Sequence, residues 1–491
     1  MSMQQSLQMK SHIVPVILAG GDGCRLWPLS RPDFPKPFIK IDGHLSQFQK
    51  SVQRCQDTEL FQAPIIIAGA AHRPIVEMQL SELDVTPAAI IAEPVGRDTA
   101  AAIALASIIS HNEKDLKKMI LVMPSDQKME PVEDFHKMVR TGLDHAVRTG
   151  LFVTFGIKPT RAATEYGYIR RGLTLHRGQA HLVETFVEKP NQALAYEYFE
   201  SGEFLWNSGM FLFPLVTLRS ELQRYCEPLL LACENAIKSG HTDGFVVTPD
   251  EEHLTRLPKI SVDYALLEKT NFTAVVDCKV DWDDLGSWDA ILSTASKDKE
   301  GNAIIGHGVM EECSNTLVHS QNKLTAVLGM EDCVIVTTED CVLVSKADKA
   351  GELKTMVKQL TEDDVPQAKR YLGEVRPWGQ FAPLHNGDGH QVKIIEVKPQ
   401  GRLSLQKHSF RAEHWIVVAG MATVTVGNER YDLDAGQHVH IPKGAVHRLE
   451  NFGDETVKLI EVQTGTYFGE DDIIRLEDVY GRNSPETAIP A

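Results

Sequence analysis

The sequence predicts an α/β domain on a Rossmann-like mixed sheet, then a short β-helix-like linker, then an all-β jelly roll. Three observations lead there. First, the apolar runs IVPVIL (13–18), APIIIAG (63–69), KMILVMPSD (118–126) and LFVTFGI (151–157) alternate with helical patterns such as TAAAIALASIIS (99–110). That alternation builds a mostly parallel sheet covered on both faces, with ligands beyond the carboxyl ends of the strands. Second, residues 301–345 carry short β-rich runs (NTLVHS, KLTAVLG, CVIVTT, CVLVSK) that suit a small β-helix or a sheet linker. An amphipathic helix over 350–360 and a charged linker, TEDDVPQAKR (361–370), follow. Third, from about 374 apolar and polar residues alternate between glycine turns, as in a jelly roll or barrel. The expected domains are 12–298, 299–373 and 374–483.

The net charge of −17 argues against coating nucleic acid or lying on a membrane surface, because both need a basic face. No pair among the eight scattered cysteines has the two-residue spacing of a zinc or redox site, so free thiols in a reducing compartment are expected. No run reaches the roughly 18 apolar residues of a membrane span, and the N-terminus lacks an apolar signal core. A soluble cytoplasmic protein is the expectation, with further copies of itself (a homo-oligomer) as a candidate partner.

Chemistry concentrates first in LAGGDGCRLWPLSRPDFPKPF, residues 18–38. Gly20, Gly21 and Gly23 let backbone N–H groups approach a phosphate chain. Arg25, Arg31 and Lys36 follow closely enough in sequence to neutralise a triphosphate.

These residues sit in a series of motifs: AGGDGCRLWPLSR, AEPVGRDTAAAIALA (92–106), MPSD (123–126), TEYGYI (164–169), FVEKP (186–190), WNSGMF (206–211) and DWDDLGSW (281–288). In that order they resemble the sugar-nucleotide pyrophosphorylases, specifically the mannose-1-phosphate guanylyltransferases, over about 12–345. The resemblance implies an α/β nucleotidyltransferase domain that joins GTP to mannose 1-phosphate. It implies that Glu93, Gly96 and Arg97 of EPVGR meet the guanine nucleotide, and that Gly167, Glu188, Lys189 and Asn207 meet the sugar phosphate. Phosphoryl transfer needs alignment and charge neutralisation more than covalent help. Lys36 would draw charge from the α-phosphate, and Asp126 and Asp284, from separate strand ends, suit a Mg²⁺ that keeps several waters. MPSD alone would equally be a helix cap. The chain departs from the family at Asp98 (commonly Asn), Gln127 (commonly His), Pro37 (commonly Gln) and Cys24 (frequently Ser).

A second cluster lies in SLQKHSFRAEHWIVVAG (404–420) and AGQHVHIPKGAVHRLEN (435–451). Gln406 and His408, two apart, share one side of a strand; Glu413 follows a turn, and His447 comes from a later strand. Such an oxygen and nitrogen set fits Zn²⁺, Co²⁺ or another first-row divalent ion with positions left for substrate. With RPWG (376–379) and the tail ending YGR (480–482), this region resembles the cupins known as type II phosphomannose isomerases over about 374–482. The resemblance implies interconversion of mannose 6-phosphate and fructose 6-phosphate, and a phosphate- or enediolate-holding role for Arg482. His440, Lys443 and Glu461 stay open as the general base.

The whole resembles a bifunctional enzyme of GDP-mannose synthesis supplying polysaccharide biosynthesis. The alternatives are a guanylyltransferase with an inactive cupin, and a sugar-nucleotide-binding regulator without catalysis.

Overall fold

The computed structural model describes residues 13–21, 24–111, 117–175, 179–370 and 373–477, and divides into two units, Met1–Arg370 and Tyr371–Ala491.

In the first unit, β1 (Ile13–Leu18), β2 (Ile65–Gly69), β3 (Ala89–Glu93) and β4 (Met119–Pro124) are the apolar runs of the sequence. β1 pairs in parallel with both β2 and β4, and β2 with β3. Leu18 is therefore level with Ile67 and Pro124, and Gly69 with Glu93, so the ends of these strands share one edge.

The expectation of a mostly parallel sheet holds for this half only. The remaining strands are β5 (Lys128–Glu130), β6 (Phe152–Ile157), β7 (Tyr168–Thr174), β8 (Ala180–Val187), β9 (Phe204–Pro214), β10 (His241–Asp243), β11 (Val246–Thr248), β12 (Thr273–Cys278) and β13 (Asp281–Asp283). β9 lies between β4 and β6, antiparallel to both, in an eleven-stranded sheet ordered β10-β11-β3-β2-β1-β4-β9-β6-β12-β8-β7. Its Asn-Ser-Gly centre imitates a turn, but only Gly209, at φ +72°, takes a left-handed conformation, and the strand continues past it. The alanine-rich helix Asp98–Ile109 is buried along nearly its whole length and shares a core with the helix Leu215–Ser239. β5 and β13 pair antiparallel, which places Asp284 beside the segment that follows Asp126.

Strands β14 (Ala303–Glu311), β15 (Leu317–Leu328) and β16 (Cys333–Thr337) stack in parallel, and β17 (Val342–Lys346) closes them antiparallel. Their inward residues Leu317, Val334 and Leu343 join Leu26, Trp27, Ile39 and Trp288 in one core. The 361–370 stretch is not the free linker its charge suggested. It ends a helix, Leu353–Glu362, and adds a short one, Pro366–Lys369. Trp27 Nε1 then donates to the Gln367 carbonyl at 3.0 Å.

The second unit is built from two antiparallel sheets, of six and five strands, around a core that includes Trp378, Trp415, Val424 and Leu449. The strands Arg411–Ala419 and Val457–Gly465 alternate buried and open residues, the period-two pattern of the sequence. Among the described residues no helix is long and apolar enough to cross a membrane, and the seven cysteines whose side chains are described are free thiols.

Candidate active sites

Gly20 and Gly21 follow β1 directly. Among the described residues a side-chain carbon added at either would meet nothing within 4 Å, and Gly21 has φ +123°. This is an open turn with room for a phosphate chain against the backbone. Gly23 lies outside the described residues, and Arg25 is exposed. Buried Lys36 opens a short turn, Lys36–Phe38; its Nζ donates to Asp126 Oδ2 at 2.9 Å and to the carbonyl oxygen of Asp284. One ammonium group thus joins three segments distant in sequence. The Asp284 carboxylate accepts from the Gly286 amide at 3.2 Å and bonds the Tyr166 hydroxyl. Burial, and then the charge of Asp284, push Tyr166 far above its ordinary value. The Asp126 side chain keeps 35% of its surface open. Both carboxylates are hard oxygen donors, the ligand type Mg²⁺ takes.

Arg31 corrects the sequence reading. It is fully buried, pairs with Asp340 at 2.6 Å and donates to the carbonyls of Pro28 and Arg370, so it offers nothing to a phosphate.

Glu93 ends β3 with Oε1 buried and without a hydrogen-bond partner, and burial pushes its carboxyl up to about 7. Among the described residues nothing lies within 4 Å of a carbon added at Gly96. Arg97 donates to the carbonyls of Leu254 and Thr255 at 2.9 and 2.6 Å. Asp98 sits at φ +64°, a conformation Asn and Asp tolerate better than other non-glycine residues, so Asp for Asn preserves the backbone there.

Gly167, Glu188, Lys189 and Asn207 are brought together. A carbon added at Gly167 would lie 2.5 Å from Glu188 Oε2 and 3.3 Å from the Asn207 Cβ. Lys189, at φ +47°, pairs with Glu188 at 3.1 Å. Asn207 Nδ2 donates to Asp263 at 3.1 Å, while its oxygen accepts from the Thr154 hydroxyl at 3.2 Å. Burial, then the charge of Glu188, push Asp263 up to about 7. Sequence reasoning missed Asp263, which stands in an unremarked helical stretch. It also missed Arg161, whose guanidinium lies 5.6 Å from the Tyr166 ring centre and 5.8 Å from that of Trp206. Tyr166, inside TEYGYI, was the available signal.

In the second unit Gln406 stands opposite His447 across two strands. His408 Nε2 lies 3.2 Å from Glu413 Oε1, and His447 Nε2 lies 3.5 Å from Glu413 Oε2. Among the described residues these three are the one group of three or more His, Cys, Asp or Glu side chains placed to hold a metal ion, and all are buried. His447 Nδ1 is 3.0 Å from the Ala445 carbonyl, which leaves Nε2 for a ligand. Both ring nitrogens of His408 are buried without a hydrogen bond, as a metal ligand would be. Gln406 Nε2 is 3.5 Å from His447 Nε2, and turning the amide over presents its oxygen instead. Burial raises Glu413, but His408, His447 and Arg411 outweigh it and hold the carboxylate well below its usual range. The donor set fits a first-row divalent ion.

Beside the cluster, Glu461 accepts from Trp415 Nε1 and Gln463 Nε2, both at 3.0 Å, and burial with Glu413 pushes it up to about 8. His440 is exposed, stacked on His414 with ring centres 4.3 Å apart, and Lys443 lies over Phe410. Arg376, Lys393 and Arg475, 3.7–4.0 Å from Glu470, line the same cavity as Glu461; of these only Arg376 lay in a motif. Arg482 lies outside the described residues.

Comparison with known proteins assigns domains to the chain. The family model "Nucleotidyl transferase" matches residues 14–301, "MannoseP isomerase/GMP-like beta-helix domain" 306–360, and "Mannose-6-phosphate isomerase C-terminal" 363–478. The mannose-1-phosphate guanylyltransferase of Sinorhizobium fredii is 40% identical, over 98% of this chain and 94% of its own. The chain belongs to the mannose-1-phosphate guanylyltransferase family.

Other relatives of this guanylyltransferase family align as fully. The xanthan biosynthesis protein XanB of Xanthomonas campestris pv. campestris is 42% identical over 96% of this chain and 100% of its own length. The alginate biosynthesis protein AlgA of Pseudomonas aeruginosa is 40% identical over 98% of each. A crystal structure from Thermus thermophilus, described as a mannose-1-phosphate geranyltransferase, is 31% identical with a TM-score of 0.63, covering 71% of this chain and 99% of that one. The chain is therefore an enzyme, with a nucleotidyl transferase domain, a β-helix-like segment and an all-β isomerase-type domain.

Proposed function

We propose that this enzyme transfers GMP from GTP to mannose 1-phosphate, yielding GDP-mannose and pyrophosphate, and that its second unit interconverts mannose 6-phosphate and fructose 6-phosphate. The reading places the work in the cytoplasm, where free thiols such as those of this chain persist. The observation that carries it is Lys36, which holds Asp126 and the Asp284 segment together beside the open Gly20–Gly21 turn. Asp126 and Asp284 would hold Mg²⁺, which supplies neutralisation of the phosphate charge. Lys36 and Arg25 draw charge from the α-phosphate and the departing pyrophosphate. Lys189 holds the incoming sugar phosphate while Glu188 and Asn207 bond sugar hydroxyls. The sugar-phosphate oxygen attacks the α-phosphorus as the bond to pyrophosphate breaks, and no covalent enzyme intermediate is needed. Glu93 and the 96–97 turn take the base.

In the second unit Gln406, His408, Glu413 and His447 would hold Zn²⁺, Co²⁺ or a similar ion, which supplies polarisation of substrate oxygens. Glu461, the one sequence candidate for the base that lines the cavity, carries the proton between the two sugar carbons. Arg376, Lys393 and Arg475 take the phosphate in place of Glu470.

The test is an assay of the full chain with Mg²⁺ against a panel of nucleoside triphosphates and sugar 1-phosphates, with a parallel isomerase assay with and without chelator. Pyrophosphate release is expected only with GTP and mannose 1-phosphate. Its absence sinks the transferase reading, and no fructose 6-phosphate from metal-loaded protein sinks the isomerase reading alone.

A further inference from the structure

A cavity of about 700 Å³ opens in the first unit beside the acid-bearing segments, yet Lys36, Asp126 and Asp284 do not line it. Its volume is that of a small-molecule site. Leu285, Ile291 and Ala295 give it an apolar wall, and Arg54 and Gln127 a polar one. Arg54 ends the helix Gln47–Arg54 and is only 4% exposed. Its Nη2 donates to Ser51 Oγ at 2.5 Å and to the Gln127 carbonyl at 3.1 Å, while Nε is buried with no partner. No carboxylate among the described residues pairs with it. The charge of Glu130, which also lines the cavity, acts on Arg54 but makes no ion pair with it. A buried guanidinium without a paired carboxylate and with an unmade hydrogen bond is costly, and an anion in the cavity relieves that cost.

The walls also belong to the active-site segments. Gln127, whose carbonyl holds Arg54, follows Asp126 in the chain. Leu285 follows Asp284 and sits at φ +44°, where a branched residue is strained and is held by its surroundings. An occupant that pulls on Arg54 or presses on Leu285 therefore acts on the peptides next to both acids.

We propose that this cavity is an effector site for an amphiphilic anion, an apolar body bearing one acidic group, whose binding alters nucleotide affinity at the Lys36–Asp126–Asp284 cluster. The coupling half rests on the transferase reading above. By linkage the effect is mutual: nucleotide changes the anion's affinity by the same factor.

The probe is 8-anilinonaphthalene-1-sulfonate, titrated by fluorescence into the full-length protein. Saturable binding is expected, weakened about tenfold by Arg54→Gln and by Ala295→Trp, which fills the cavity from a half-buried helix end. Should Arg54→Gln fail to fold, Ala295→Trp carries the test. Saturating probe should shift the dissociation constant of Mg²⁺-GTP, measured by equilibrium dialysis, about threefold or more in the wild type and not in Ala295→Trp. Equal probe affinity in wild type and Ala295→Trp overturns the proposal, as does an unchanged GTP affinity. A chain in which probe and GTP affect one another but no pyrophosphate is released supports the cavity and sinks the transferase reading.

Discussion

Arg31 and Asp340 stand 309 residues apart and are joined by two hydrogen bonds of 2.6 and 2.7 Å, with side chains 0% and 2% exposed. The pair fastens the RLWPLSRPDFPKPF loop, which carries Lys36, to the β-helix. Breaking a buried pair leaves one charge stranded, at about 3–5 kcal/mol. Arg31→Met should lower the urea midpoint accordingly and reduce turnover with it. Arg31→Met/Asp340→Leu should regain part of the loss, since no charge is left buried alone. A wild-type midpoint for Arg31→Met contradicts the brace.

Lys36→Ala and Asp284→Ala test the roles proposed for these two residues in the transfer. Each should reduce kcat about a hundredfold or more, the cost of losing one preorganised charge at a reacting phosphate. Thermal melting should show a folded chain in both. Turnover within a factor of about ten of wild type in either variant would deny the role assigned to it.

Much of this was legible because motif residues sit at strand ends. Gly20–Gly21 and Asp126 follow β1 and β4 and Glu93 ends β3, and strands with alternating helices put such ends on one edge. Period-two alternation likewise marked the jelly roll. What stayed hidden depends on partners far away in sequence. Nothing near Arg31 announces Asp340, so a cation close to a glycine loop read as a phosphate ligand. The 361–370 stretch looks like a linker until Gln367 and Arg370 offer carbonyls to Trp27 and Arg31. Asp263 gains its raised pKa from burial and from Glu188, 75 residues earlier by the numbering, which no local pattern reports.

Gly167→Ala tests the sugar end. The added carbon would fall 2.5 Å from Glu188 Oε2, so the carboxylate, the free end of its side chain, must swing aside. Fold stability should hardly change. KM for mannose 1-phosphate should rise about tenfold or more, with KM for GTP little affected, because only the sugar contacts are lost. An equal rise in both would place Glu188 elsewhere.

Glu93 predicts a pH effect on the ligand-free chain. Its acid is raised from 4.5 to about 7 by burial. The folded state therefore holds a proton that the unfolded state gives up. That stability is fully present below about pH 4.5 and is lost as pH rises through about 7. Glu93→Gln removes the linkage. Its advantage over wild type in denaturant melts should grow between about pH 5 and pH 8, by an amount on the order of 1–3 kcal/mol. A difference that stays flat with pH would show that Glu93 is solvated in the folded chain. Asp263 titrates in both proteins and cancels in the comparison.

The isomerase-type unit makes a prediction that separates it from the first. His408 has two buried ring nitrogens without hydrogen bonds, and Glu413, 1% exposed, faces it and His447. A divalent ion satisfies all three at once, so it should bind the folded state far better than the unfolded one. Free ion at about a hundred times its Kd should then add about 2.7 kcal/mol to that unit's stability, seen as a raised melting transition. Glu413→Gln keeps the shape but weakens the ligand set, and should lose most of the shift. Chelation should abolish fructose 6-phosphate formation, while pyrophosphate release returns in full once Mg²⁺ is restored. If chelator leaves both the transition and the isomerase rate unchanged, His408, Glu413 and His447 are a packed polar cluster and not a metal centre.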